Sequence, residues 1–138
     1  MNTKNNNIND VLFVTPGLGR KYNMGSMSSV FLADGAETNS RYSVSEWWLD
    51  AQSDGPGPHS HDENEELFYV LEGVMTFLVG EEMIEAPKGS FIRIPANIIH
   101  DFMNRSKERS GILNIFIPGG FEEMMPKIVQ WYEDNLEK

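Results

Sequence analysis

The chain contains three histidines, and all three fall in a pattern that could hold a metal ion. His59 and His61 stand two apart, and Glu66 follows five residues after His61. Residues two apart on an extended chain face the same side, so both imidazoles can point at one centre. Glu66 opens an apolar run from which its carboxylate can return to that centre, and His100 opens a second, distant run. The chain has no cysteine, so imidazole and carboxylate are the main metal ligands left to it. Three neutral imidazoles and one carboxylate leave positions open on a metal that prefers five or six ligands. Water, a chelating substrate or dioxygen can bind there.

Such a cluster needs strands to assemble it. Short β-like runs occur at Val11–Val14, Met27–Leu32, Tyr42–Leu49, Glu66–Leu71 and Met75–Val79, then at Glu82–Glu85, Phe91–Ile94, His100–Met103 and Ile112–Ile117. Gly, Pro, Asn and Asp separate them, a rhythm that predicts an all-β sandwich or barrel. From Phe121 the period changes. Ile128, Tyr132 and Leu136 recur every four residues, with Pro126 suited to the first turn of a helix. One or two short helices over residues 121–137 are expected to dock on the barrel. Residues 1–10 are Asn-rich and polar and are expected to form a flexible tail. Residues 11–138 are expected to be a single domain, with the barrel running to about residue 118.

The formal net charge is −10, with 21 acidic and 11 basic residues. No basic run interrupts it, which argues against nucleic acid and anionic membrane surfaces as partners. Without cysteine there is no disulfide, thiolate zinc site, iron–sulfur cluster or cysteine nucleophile. The first ten residues lack an apolar signal core, and no stretch is long and apolar enough to span a membrane, so a cytoplasmic location is expected.

The ligand candidates sit in two longer motifs. The first is His59-Ser60-His61, Glu66 and Gly73; the second is Gly89, Pro95, His100 and Asn104; fifteen residues separate Gly73 from Gly89. Together they resemble the cupin superfamily. Two positions depart from its pattern, Ser53 and Asn97, where glycine is usual. Asparagine tolerates left-handed backbone well, so a turn at Asn97 survives. The resemblance implies a double-stranded β-helix, the cupin jelly-roll barrel, with a short C-terminal helical segment. It also implies one divalent metal ion per chain, whether iron, manganese, nickel, cobalt or zinc, on His59, His61, Glu66 and His100. Asn104 is read as structural, binding backbone at a turn.

Within that superfamily, Glu66–Gly73 and the segment Ile117–Glu122 are similar to small single-domain proteins of the quercetin dioxygenase type. This implies a metal-dependent dioxygenase acting on a small enol or phenol that chelates the metal, with dioxygen as co-substrate and Glu66 as catalytic base. Two alternatives stand beside it: a redox-neutral isomerase or lyase, and a non-catalytic small-molecule binding protein. The resemblance also implies a homodimer, and an unpaired sheet edge near Val11–Val14 would be protected by pairing. Trp47 and Trp48 are adjacent on a strand and must face opposite sides. Trp48, Phe68 and Phe102 are the candidates for lining the substrate pocket.

Overall fold

The computed structural model describes residues 10–136, so the tail read from residues 1–10 lies outside the described residues except for Asp10. Nine strands follow in chain order: β1 (Arg20–Met24), β2 (Met27–Ala33), β3 (Ser43–Leu49), β4 (Glu65–Glu72), β5 (Val74–Val79), β6 (Glu82–Pro87), β7 (Phe91–Ile94), β8 (His100–Met103) and β9 (Ser110–Ile117). A short helix α1 (Gly35–Thr38) joins β2 to β3. A single 3-10 turn, Phe121–Met124, leads into helix α2 (Met125–Asn135).

The strands form two antiparallel sheets that face each other as a jelly roll. One has six strands in the order β1-β2-β3-β9-β4-β7, and the other has three in the order β6-β5-β8. Alternation dictates which residues go inside. Along β2 and β3 every second residue is buried, including Phe31, Trp47 and Leu49. These meet Phe68, Val70, Met75, Phe77 and Phe102 in one core between the sheets. Ile128, Val129 and Tyr132 of α2 pack on the edge of that core, as the four-residue period predicted.

The run Val11–Val14 is not a strand. Val11, Leu12 and Phe13 are exposed. The sheet edge is taken instead by Arg20–Met24, a run with few apolar residues. An edge strand buries only one side, and here Tyr22 and Met24 suffice to cover Phe31 and the end of the core.

Several features fix the barrel mouth. Gly73 turns β4 into β5 with φ +70°, and a side chain there would meet the Arg109 carbonyl at 2.6 Å. Asn97 also adopts a left-handed backbone, φ +70°, and its N–H donates to the His61 carbonyl at 2.8 Å. Ser53 forms an isolated bridge with Asn104. The buried Asn104 amide donates to the carbonyls of Leu49, Asp50 and Glu108, so its role is to hold backbone. Buried Asp34 clasps the C-terminal exit: its carboxylate accepts the N–H groups of Gly120 and Glu122 and the Ser43 hydroxyl. That clasp sets Phe121 against the barrel mouth.

Candidate metal centre

Four side chains from three parts of the chain meet at the mouth. His59 and His61 come from the segment before β4, Glu66 from the start of β4, and His100 from the start of β8. Each offers one ligand atom, and these atoms all lie within 4.8 Å of one another. Ligands bound at about 2.1 Å stand about 3 Å apart when adjacent and about 4.2 Å apart when opposite, so the cluster needs little contraction to close on an ion.

Backbone hydrogen bonds orient two of the rings. His59 Nδ1–H donates to the Gly57 carbonyl at 2.7 Å, and His100 Nδ1–H donates to the Ile98 carbonyl at 2.9 Å. Each bond leaves Nε2 as the atom aimed at the shared centre, the arrangement in which an outer partner fixes a ligating imidazole. His61 Nε2 is buried 3.3 Å from Glu66 Oε2, yet the alignment makes no hydrogen bond, which leaves that nitrogen without a partner. A buried, unpaired nitrogen aimed at a carboxylate and two other imidazoles suits coordination better than hydrogen bonding.

Glu66 is buried and has two different partners. Its Oε2 lies 2.5 Å from His100 Nε2, and its Oε1 accepts the Asn114 amide N–H at 3.1 Å. Burial alone would raise the carboxyl, but the hydrogen bond from His100 and the close approach of the His61 imidazole outweigh it and hold it down at about 2. Burial would lower the His100 imidazolium, and its bond to Glu66 reverses this and raises it. His59 is shifted down, chiefly by burial, which the Gly57 carbonyl only partly opposes. The site thus keeps Glu66 anionic and His59 neutral, the protonation states a metal requires of them.

Above the cluster is a cavity of about 280 Å³ whose walls include Trp47, Pro58, Phe121 and, from α2, Ile128 and Tyr132. A smaller chamber of about 40 Å³ continues inward to Glu66, between Phe68 and Phe102. Trp47, Pro56, His59 and Phe121 line both.

Phe68 and Phe102 line the inner chamber while packing in the core. Trp48 does not. It lies on the outer face of β3, its indole N–H donates to Glu46, and the Arg109 guanidinium sits 4.3 Å over its ring. The alternation of the strand fixes the phase: Ser45, Trp47 and Leu49 face inward, so Trp47 is the pocket tryptophan. Asn114 was missed. Its position on β9 beside Phe68 is legible only once the β4–β9 register is known.

Over 78 residues, 56% of the chain, it is 31% identical to quercetin 2,3-dioxygenase of Bacillus subtilis, and the match spans 23% of that enzyme. Two solved structures superpose with TM-scores of 0.70: KdgF from Halomonas sp., 15% identical over 80% of this chain and 96% of that one, and an RmlC-like cupin from Shewanella frigidimarina, 16% identical over 83% and 96%. At these identities the superpositions establish the shared fold. The cupin-domain family model matches residues 47–116, a span that takes in half the chain and all four converging side chains. The chain belongs to the cupin family.

Proposed function

We propose that this cupin is a metal-dependent dioxygenase acting on a small enol or phenol. The observation that carries the reading is the convergence of His59, His61, Glu66 and His100 at the floor of a cavity that opens outward. The partial identity with quercetin 2,3-dioxygenase supports the choice of reaction.

In this reading the four side chains hold one divalent ion. When bound, that ion acidifies a substrate hydroxyl and supplies the redox partner for dioxygen. The chain's own residues do the rest. His59 and His100 keep their rings fixed through Gly57 and Ile98. Glu66, held ionised, swings away from the shared centre and accepts the proton that the substrate hydroxyl gives up. Trp47, Phe68, Phe102 and Phe121 exclude water from the reacting end.

The test is metal analysis of the purified protein, followed by oxygen-uptake assays with phenols and enols after loading iron, manganese, nickel or cobalt. About one ion per chain and substrate-dependent uptake are expected. Turnover without oxygen consumption would replace this reading with redox-neutral chemistry, and loading without turnover would leave a binding protein.

We also propose that the chain pairs with a second copy through the outer face of the six-stranded sheet. One cross-strand row there runs Lys21, Val30, Glu46, Leu113, Tyr69 and Phe91, and the next runs Val44, Ile115, Leu67 and Arg93. Tyr69 and Phe91 are 45% and 62% exposed in the single chain. In these two rows the charges, Lys21 and Arg93 against Glu46, nearly balance on a chain of net charge −10, so two copies can meet there without strong repulsion. Light scattering should give twice the chain mass, and Phe91→Glu should halve it.

A further inference from the structure

The cavity above the cluster is defined as much by what it lacks as by what lines it. Among the described residues, neither its outer part nor its inner chamber has a lysine or arginine in its wall. The outer walls are the aromatic and aliphatic surfaces of Trp47, Phe121, Ile128 and Met27, with the Tyr132 phenol as a polar group. Burial holds that phenol in its neutral form, helped by the charge of Asp101. In the inner chamber the one amide, on Asn114, is engaged by Glu66. A substrate carboxylate or phosphate lodged between these walls would lose its hydration and find no cation in return. An unpaired buried ion is strongly disfavoured. The chain's net charge of −10 adds long-range repulsion of anions. An uncharged apolar ring system meets the opposite situation, with aromatic faces on several sides and little water to displace. About 280 Å³ is at the small end of ligand pockets, so the fit is to one or two fused rings.

We infer that the site selects a small, uncharged aromatic or alicyclic substrate and rejects molecules that carry a carboxylate, sulfonate or phosphate on the part lying against Trp47, Phe121 and Ile128. This names the substrate class for the proposed reaction and rests on that reading for which end of the substrate faces the histidines. It also separates this chain from any cupin whose substrate is held by its negative charge.

The test uses two probes of the same shape that differ in charge: 2-(methylsulfonyl)naphthalene, which is neutral, and naphthalene-2-sulfonate, which is anionic and a poor metal ligand. Binding of each to the full-length, zinc-saturated protein is measured by calorimetry. The neutral probe should bind at least about tenfold more tightly, a conservative expectation for an unpaired buried charge. Ile128→Lys places a cation in the wall and should shrink or reverse that ratio; if it disturbs folding by circular dichroism, Met124→Lys, at the half-exposed rim, replaces it. Equal or tighter binding of the sulfonate overturns the inference. So does a neutral probe that fails to bind up to its solubility limit, or a ratio that neither lysine variant moves. Zinc does not exchange electrons with dioxygen, so these outcomes are independent of turnover. Absent oxygen uptake would sink the dioxygenase reading while the binding ratio stood.

Discussion

His59 and His100 are backbone partners as well as neighbours in the site. The His59 N–H donates to the His100 carbonyl at 3.0 Å, and the His100 N–H donates to the His59 carbonyl at 2.8 Å. This isolated antiparallel bridge lies outside the β5–β8 pairing and joins two segments far apart in sequence. Residues exchanged in this way project their side chains to the same face, and the two ring centroids stand 4.4 Å apart. The backbone therefore sets the spacing of the two imidazoles before any ion is considered.

Because backbone makes the bridge, removing one ring should spare the fold and destroy the site. His100→Ala is expected to reduce bound metal from about one ion per chain to a small fraction, since three ligands remain and Glu66 loses its strongest partner. Circular dichroism should stay close to that of the parent protein. Plasma mass spectrometry measures the metal, and stoichiometric retention would refute the ligand assignment.

Asn114 tests how the carboxylate is presented. Its amide occupies Glu66 Oε1, leaving Oε2 to face the histidines. Asn114→Leu keeps the size and removes the donor. Metal affinity should fall by about 10–100-fold, as for other outer partners of metal ligands. Competition with a chelator of known affinity reads this directly. Unchanged affinity would show that Asn114 only fills space.

Much of this site was legible in the sequence because strand geometry carries local spacing into space. The offset of two between His59 and His61 needs only an extended chain, and His100 at the start of its strand needs only the second motif. Asn97 took the left-handed turn expected of it, and Asn104 binds backbone. What escaped depends on register between strands far apart in sequence. Asn114 meets Glu66 across the β4–β9 pairing, and no periodicity along one strand reveals it. The Val11–Val14 run is apolar enough for a strand, yet the edge position went to Arg20–Met24, which can cover Phe31. Local propensity could not decide between them.

The two adjacent tryptophans give a paired experiment on strand phase. Trp47 lines the cavity and Trp48 lies on the outer sheet face beneath Arg109. Trp47→Phe should weaken binding of 2-(methylsulfonyl)naphthalene severalfold by removing aromatic wall. Trp48→Phe should leave that affinity unchanged and cost about 0.5–1 kcal/mol of stability through the weakened contact with Arg109. Calorimetry and urea denaturation of both variants separate the effects, and the reverse pattern would mean that the pocket faces the other way.

The C-terminal exit carries a pH signature remote from the histidines. Tyr22 on β1 donates its phenolic hydrogen to Glu122, which also binds Arg20, so strand and exit turn share one network. Burial and the bond to Glu122 raise the Tyr22 phenol from its ordinary 10 to about 12. A folded state that holds a proton more tightly than the unfolded chain has that stabilisation in full below the unfolded value and loses it as pH rises. The contribution of Tyr22 should therefore be intact below pH 10 and fade between pH 10 and about 12. Tyr22→Phe cannot ionise and lacks the hydrogen bond. Its urea midpoint should lie below the parent's at pH 9, with the gap narrowing through pH 11. A gap independent of pH would show that the hydroxyl is ordinarily acidic in the fold, and that its bond to Glu122 is not maintained in solution.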